Sequence, residues 1–266
     1  MEPLDNFPVA ARRRIRGVFT DIDDTLTTDG RLTAAAYGAL ERLRAAGFLV
    51  VPITGRPAGW CDHIARMWPV DAVVGENGAF YFRYDAAARK LVKRFLAPDE
   101  ERAANRRRLE ALRDRILAAV PGAAPASDQL YREADLAIDF CEDVAPLSRA
   151  DVDRIVALFG EAGATAKVSS IHVNGWFGSY DKLGMTRITL RECFAIDLDT
   201  DRTEFVFAGD SPNDAPMFEF FPNAVGVANI ADFADRLTAL PAYVTRGRCG
   251  AGFVELADAL IAARRP

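Results

Sequence analysis

The chain of 266 residues is short of lysine, histidine and cysteine, and each shortage narrows what it can do. Lys90, Lys93, Lys167 and Lys182 are its only lysines; arginine carries nearly all the positive charge. The formal net charge is −5, which argues against a nucleic-acid or polybasic membrane partner. The two histidines, His63 and His172, share no metal-ligand spacing. Cys61, Cys141, Cys193 and Cys249 contain no C-x-x-C pair, so neither a zinc ribbon nor a disulfide framework is written here. They read as small apolar fillers and suit a reducing cytosol. No apolar run reaches the ~20 residues of a membrane span. Arg12-Arg13-Arg14 imitates a signal-peptide n-region, but the apolar stretch after it ends at Asp21. These absences predict a cytoplasmic protein with no nucleic-acid and no membrane partner. They leave its oligomeric state open.

Half of the residues are apolar and 27% are charged, the composition of a globular chain long enough for one large domain or two modest ones. Arg16 to Thr20 reads as a short buried strand running into Asp21-Ile22-Asp23-Asp24-Thr25. Thr33 can cap a helix through about Ala46, with Leu40 and Leu43 inward and Gly47 as its stop. Phe48 to Ile53 is a continuous apolar run, as in a strand covered on both faces. It ends in Thr54-Gly55-Arg56-Pro57, and Pro57 suits the start of a helix over 57–67. A strand at 72–74 leads to Glu76-Asn77-Gly78, and 79–83 with 90–95 reads as a hairpin around Asp85. Strand and helix thus alternate, as in a parallel sheet with helices on both faces.

The pattern then changes. Residues 99–120 read as a long Arg-rich helix, followed by an Ala- and Pro-rich loop to Asp128. A strand (136–141), a helix (148–162) and a strand (166–173) come next, and Asn174-Gly175 suggests a tight hairpin turn into 176–180. From Asp181 the alternation resumes, with a helix at 182–195, a strand at 204–208, the loop Gly209 to Asp214, a strand at 224–227, a helix at 231–237, a strand at 243–244 and a helix at 252–263. We see no internal repeat and no long disordered linker. The expectation is an α/β core, 1–96 and 180–266, interrupted by an inserted α+β unit, 97–179.

Candidate chemistry gathers at strand ends, where open α/β sheets bind ligands. Two carboxylates one residue apart, Asp21 and Asp23, followed by the Thr25 hydroxyl, can share a divalent cation while one of them reacts. Thr54 and the Gly55 N–H can grip a phosphate oxygen. Lys182 opposes the dipole of the helix it begins, and a buried anion would justify it there. Asp210 and Asp214 could complete a magnesium site made of oxygen ligands. Each of these segments alone is compatible with an ordinary turn; together and in this order they make a constellation.

At this point the chain resembles the haloacid dehalogenase-like superfamily of phosphatases. Asp21-Ile22-Asp23-Asp24-Thr25 is similar to its first motif, Thr54 to its second, Lys182 to its third and Gly209-Asp210-Ser211-Pro212-Asn213-Asp214 to its fourth. The insertion between the second and third motifs resembles the type IIB (C2B) cap of the Cof-like, sucrose-phosphate and mannosyl-3-phosphoglycerate phosphatases, as does Glu76-Asn77-Gly78-Ala79. The resemblance implies a Rossmann-like core and a magnesium-dependent phosphoric monoester hydrolase. Its substrate would be a small phosphorylated metabolite, a sugar phosphate or phosphoglycerate glycoside.

By resemblance, Asp21 is the nucleophile, forming an aspartyl-phosphate, and Asp23 the general acid and then base. That second role requires a pKa well above the ~3.9 of a free Asp. Thr54 and nearby N–H groups hold the phosphoryl, and Lys182 neutralises its charge. Magnesium falls to Asp21, the Asp23 carbonyl and Asp210, supported by Asn213 and Asp214. Many members of this branch carry Gly at the position of Asp24, which receives no role. In the insertion, His172 and Asn174 are candidates for sugar hydroxyls, against a purely structural hairpin with Trp176 as packing. Arg56 and Arg132 are possible contacts for a second anion. A phosphomannomutase-like phosphotransferase and a catalytically idle binding or regulatory protein are the alternatives on this fold.

Overall fold

The computed structural model describes residues 1–264. Six parallel strands form the main sheet, in the order Glu2–Pro3, Tyr243–Val244, Val225–Gly226, Phe205–Gly209, Gly17–Thr20, Leu49–Pro52. Alternation along the central strands feeds two cores. Val18, Val50, Val206 and Ala208 enter the one that holds Leu40, Leu43, Leu256 and Leu260. Phe19, Val51, Phe205 and Phe207 enter the other, with Met185, Leu190, Met217 and Phe218. The helices Ala34–Ala45 and Cys249–Arg264 therefore supply the cover on one face, and Lys182–Phe194 and Ala215–Phe220 that on the other. A strand buried on both faces needs an apolar side chain at every position, which is why these segments read as unbroken apolar runs.

Local signals work as read at the helix Ala34–Ala45. The Thr33 hydroxyl accepts from the Ala36 N–H at 3.2 Å, and Gly47 sits at φ +79° beyond the last turn. The antiparallel strands Val73–Gly75, Phe80–Asp85 and Lys90–Phe95 join the main sheet through one parallel bridge, Ile53 to Val74. Four features escape sequence patterns. The edge strand Glu2–Pro3 and the hairpin of Thr27–Thr28 with Arg31–Leu32 are too short for a period to show. The arginine run belongs to the helix Val9–Arg14, where Arg12 Nη1 and Arg13 Nε donate to the Ala259 and Ala263 carbonyls near the end of the last helix. The helix expected at 231–237 is instead a 3₁₀ segment, Ala228–Phe233, that holds Asn229 in place.

The insertion is a second layer pair with its own apolar core, drawn from residues between Leu109 and Phe177. Its antiparallel sheet runs in the order Thr165–Val168, His172–Trp176, Leu136–Asp139, Ala124–Pro125. Leu136, Ile138 and Val173 pack on Leu109, Leu112 and Ile116 of helix Asp99–Ala119 and on Val152, Ile155 and Phe159 of helix Arg149–Glu161. The opposite face presents Asp139 and His172, directly paired across the sheet, and Ala137 with Asn174.

Asn174-Gly175 is not a turn. Both residues lie inside the strand His172–Trp176, paired on both sides, and the reversal falls at Ser169–Ile171. Ser169 closes it, its N–H and hydroxyl both donating to the His172 carbonyl. Gly175 answers a packing need: a Cβ there would lie 2.1 Å from the Phe159 ring.

Candidate active site at the strand ends

Strand Gly17–Thr20 delivers Asp21 to the carboxyl edge of the sheet, where the Asp21 N–H prolongs the ladder by donating to the Ala208 carbonyl at 2.9 Å. The neighbouring strand Phe205–Gly209 delivers Asp210 to the same edge. Lys182, the first residue of its helix, inserts its ammonium between Asp21 Oδ1 and Asp214 Oδ1, 2.7 Å from each. The other oxygen of Asp214 accepts from the Asp210 and Ser211 N–H groups. Asp214 thus fixes both Lys182 and the fourth loop. Gly209 makes room for it: a Cβ there would fall 2.5 Å from Asp214 Oδ2.

Asp21, Asp210 and Asp214 bring carboxylate oxygens within 4.8 Å of one another, all three residues buried. One ammonium cannot balance three such charges at this spacing. Burial, reinforced by Asp214 and Asp23 against the pull of Lys182, pushes the Asp21 carboxyl up to about 8. Burial and the charges of Asp21 and Asp214 push Asp210 well above the carboxylate range. For Lys182, Asp21 and Asp214 more than offset the effect of burial, and its pKa is raised. A convergent, dry, oxygen-only set short of positive charge fits a hard divalent cation. The carboxylate of Asp23 lies outside this cluster.

Thr25 and Asn229 orient Asp210. The Thr25 hydroxyl donates to Oδ1 at 3.0 Å and the Asn229 amide to Oδ2 at 3.2 Å. The same Asn229 nitrogen donates to the Asp24 carbonyl, joining the first and fourth loops. Asp24 itself has φ +55°. A glycine adopts that conformation freely, and Asp tolerates it better than most residues, so the backbone explains the acid without giving it chemistry.

On the other side of the nucleophile, Thr54 is fully buried and its hydroxyl oxygen accepts from the Arg56 N–H at 3.0 Å, leaving its proton to donate. Gly55 lies under the Asn77 amide, whose nitrogen would be 3.2 Å from a Cβ at that position. Asn77 (φ +54°) and Gly78 (φ +108°) turn the loop back on Lys182. Any side chain at Gly78 would collide with the Asp181 carbonyl, 2.0 Å from its Cβ.

Arg56 does not stand free. Its Nε donates to both oxygens of Asp23 (3.0 and 3.1 Å), its Nη1 to Asp128 (3.3 Å) and its Nη2 to Glu142 (2.7 Å). Arg132 contacts Asp128 at 3.0 Å, donates to Asp135 at 2.9 Å and reaches the Gly55 carbonyl at 2.8 Å. Asn174 Nδ2 donates to Asp135 at 3.0 Å, and His172 Nε2 lies 2.9 Å from Glu142 Oε2. Glu142 is presented by a turn in which Asp139 accepts the N–H groups of Cys141, Glu142 and Asp143. The His172 contact, then Arg56, hold its carboxyl down to about 2.

Glu76 pins the insertion to the core. Its buried carboxylate accepts from the N–H groups of Ala58, Glu133, Ala134 and Asp135, at 2.6 to 3.1 Å. Burial, then the charge of Asp135, pushes its pKa up to about 8.

The structure therefore brings Asp21, Asp23, Thr54, Gly55, Arg56, Lys182, Asp210, Asn213 and Asp214 to one edge, with Asn213 Oδ1 accepting from the Ser211 hydroxyl at 2.8 Å. His172 and Asn174 face the same junction but hold partners within the insertion. Sequence reasoning gave no site role to Glu76, Asp128, Asp135, Glu142 and Asn229. Glu76 stands in a recognisable strand-end tripeptide; the others carry no spacing rule.

Residues 18–104 match a family described as haloacid dehalogenase-like hydrolase. No curated protein sequence matches the chain. Among solved structures, the C-terminal domain of trehalose-6-phosphate phosphatase from C. albicans is 13% identical with a TM-score of 0.71, covering 98% of each chain. The sucrose-phosphatase of Synechocystis, solved with sucrose and phosphate, is 16% identical with a TM-score of 0.63 over 93% of this chain and 98% of that one. A sugar phosphatase of HAD subclass IIB is 15% identical with a TM-score of 0.58 over 92% and 96%. At these identities the likeness is one of fold. The resemblance to haloacid dehalogenase-like hydrolases is borne out over residues 18–104 by sequence, and the hydrolase family matched there supports the reading of the chain as an enzyme; over the rest of the chain the solved structures bear out the fold.

Proposed function

We propose that the chain is a magnesium-dependent phosphatase that hydrolyses a small sugar phosphate through an aspartyl-phosphate. The carrying observation is Lys182, buried and 2.7 Å from both Asp21 and Asp214, beside a third buried carboxylate at the ends of parallel strands. Asp21 attacks phosphorus, and the bond from phosphorus to the leaving oxygen breaks as Asp23 gives that oxygen its proton. A water then attacks the acyl phosphate, Asp23 takes its proton, and Asp21 is released with inorganic phosphate. Lys182 and the Thr54 hydroxyl stabilise charge on the phosphoryl oxygens. Asp21, the Asp23 carbonyl, Asp210 and Asp214 would hold the magnesium, which when bound supplies the positive charge this acid-rich corner lacks.

In this reading Asp23 exchanges Arg56 for the leaving oxygen during turnover. Residues 97–179 act as a cap over the core of 1–96 and 180–266, joined through Glu76 and Arg56. The cytoplasm is the compartment that four unpaired cysteines suit.

The test is phosphate release from a panel of phosphorylated sugars and glycerates with magnesium. Wild-type protein should release phosphate, and Asp21→Asn should lose at least roughly 10³-fold in kcat/KM with an unchanged circular dichroism spectrum. Retained turnover in that variant removes Asp21 as nucleophile. Interconversion of sugar phosphates without net phosphate release identifies a phosphotransferase instead.

A further inference from the structure

Among the described residues nine large apolar side chains are exposed, and four of them gather in one place. Trp60 and Met67, 43% and 64% exposed, stand on helix Ala58–Met67 of the core. Leu130 and Tyr131, 94% and 60% exposed, stand on the 3₁₀ turn Gln129–Tyr131 of the insertion. Together they line a groove of about 700 Å³ that crosses from one layer to the other. Scattered exposed apolar residues need no explanation, but a contiguous group marks a surface that something covers.

Close packing builds this groove. Gly59 lets the turn settle on the helix, since a Cβ there would lie 2.9 Å from the Cβ of Tyr131. The Arg56 guanidinium lies over the Trp60 ring, 4.5 Å from its centroid, and steadies it. Leu130 also borders a second recess, of about 160 Å³, with Leu109 and Leu136. It therefore stands as a ridge between two hollows.

Charge and shape select the occupant. The chain carries a net charge of −5, so two copies repel one another on average. This face is an exception: its lining sets Arg66 and Lys93 against Asp62 and Glu133, two charges of each sign that cancel, with His63 neutral. Asp62 lies 2.6 Å from Arg66 and 3.1 Å from Lys93. A lipid surface would call for an excess of cations beside the apolar group, and the lining has none. A two-fold contact instead asks one face to supply both a projection and a recess, as Leu130 and the groove beside it do. Trp, Tyr and Met inside a polar rim are also what the centre of a protein interface is made of.

We infer that this groove is the contact between two copies of the chain, each placing its Leu130 ridge in the groove of the other. The contact bears on the core and the insertion together, and it is independent of which reaction the strand ends perform.

The experiment is sedimentation velocity of the full chain from about 1 to about 100 μM, a range that spans the association of a modest homodimer. Wild type should reach twice the mass of one chain within it. Leu130→Asp and Met67→Asp each put a carboxylate into both halves of a two-fold contact and should raise the dimer Kd at least roughly tenfold. Leu240→Asp, at a side chain 53% exposed but outside the groove, should leave the Kd as in wild type. Circular dichroism checks that each variant is folded; Leu130 and Met67 lie on different layers, so the loss of one variant leaves the other to decide. Wild type that stays monomeric throughout overturns the inference. So does an unchanged Kd in the folded groove variants, or an equal loss in Leu240→Asp.

Discussion

Two acid-rich regions lie side by side in this molecule and are resolved in opposite ways. At the strand ends, Asp21, Asp210 and Asp214 converge within 4.8 Å around one ammonium. At the junction with the insertion, four carboxylates are spread around two guanidiniums. The difference is geometric as much as numerical. An ammonium is a compact charge that two oxygens can share, and the remaining carboxylate, Asp210, is left outside that sharing, its own pKa pushed up by burial and by the charges of Asp21 and Asp214. A guanidinium is a planar fork that holds several carboxylates apart, each with its own donor. Concentrated deficit makes a place for a cation; distributed pairing makes a rigid wall. A single fold can therefore use the same side chains to open one site and close another.

The sharpest way to break the first region is Lys182→Met. Removing the ammonium strands Asp21 and Asp214 in a dry site, and kcat/KM should fall by roughly 10²–10³-fold or more, as when a preorganised group that stabilises transition-state charge is lost. Steady-state phosphate release measures this, and a loss below about tenfold would show that Lys182 serves packing alone.

Next in size is the pH dependence of cation binding. Asp21 has its carboxyl raised from 3.8 to about 8 in the fold. A carboxyl raised in this way contributes stability that is full below its unfolded pKa and is lost as pH rises through the folded value. A divalent cation opposes that loss by holding the carboxylates ionised, so its binding strengthens as protons leave. The rise in Tm on adding magnesium should accordingly be larger near about pH 9 than near about pH 6. A shift independent of pH, or no shift, would detach the cation from this cluster.

For the second region, Glu76→Gln replaces one acceptor oxygen with a donor aimed at backbone N–H groups that now have a partner. We expect a loss of about 1–3 kcal/mol, the usual penalty for an unsatisfied buried polar group, read by urea denaturation. An unchanged midpoint would mean that the insertion is held by other contacts.

An effect of the same size on stability, and none on catalysis, concerns the sheet behind that wall. Gly175→Ala should destabilise by about 1–3 kcal/mol through the Phe159 ring. Its kcat/KM for phosphate release at a temperature where it stays folded should remain as in wild type. A changed kcat/KM would show that the strand His172–Trp176 positions substrate as well as the sheet.

Much of the first region was legible in the sequence because its parts are local. Asp21, Thr54 and Asp210 each follow an unbroken apolar run, and Lys182 opens a helix behind the N-cap of Asp181. Reading Asn174-Gly175 as a turn failed because the same dipeptide serves a hairpin or a close approach between strand and helix, and the deciding atoms belong to Phe159. Asp24 became intelligible only through its positive φ.

By itself the sequence determined the alternation of strands and helices, the insertion between the second and third motifs, and the corner built of Asp21, Lys182 and the Asp210 loop. Hydrophobic periodicity and strand-end chemistry act over a few residues, so they are readable one segment at a time. The tertiary structure alone decided what the arginines do. Arg56 meets Asp23 at 33 residues' separation and Glu142 at 86, and Glu76 meets Asp135 at 59. Such pairings depend on how two separately formed layers dock, and a charged side chain gives no sign in advance of which partner will be within reach.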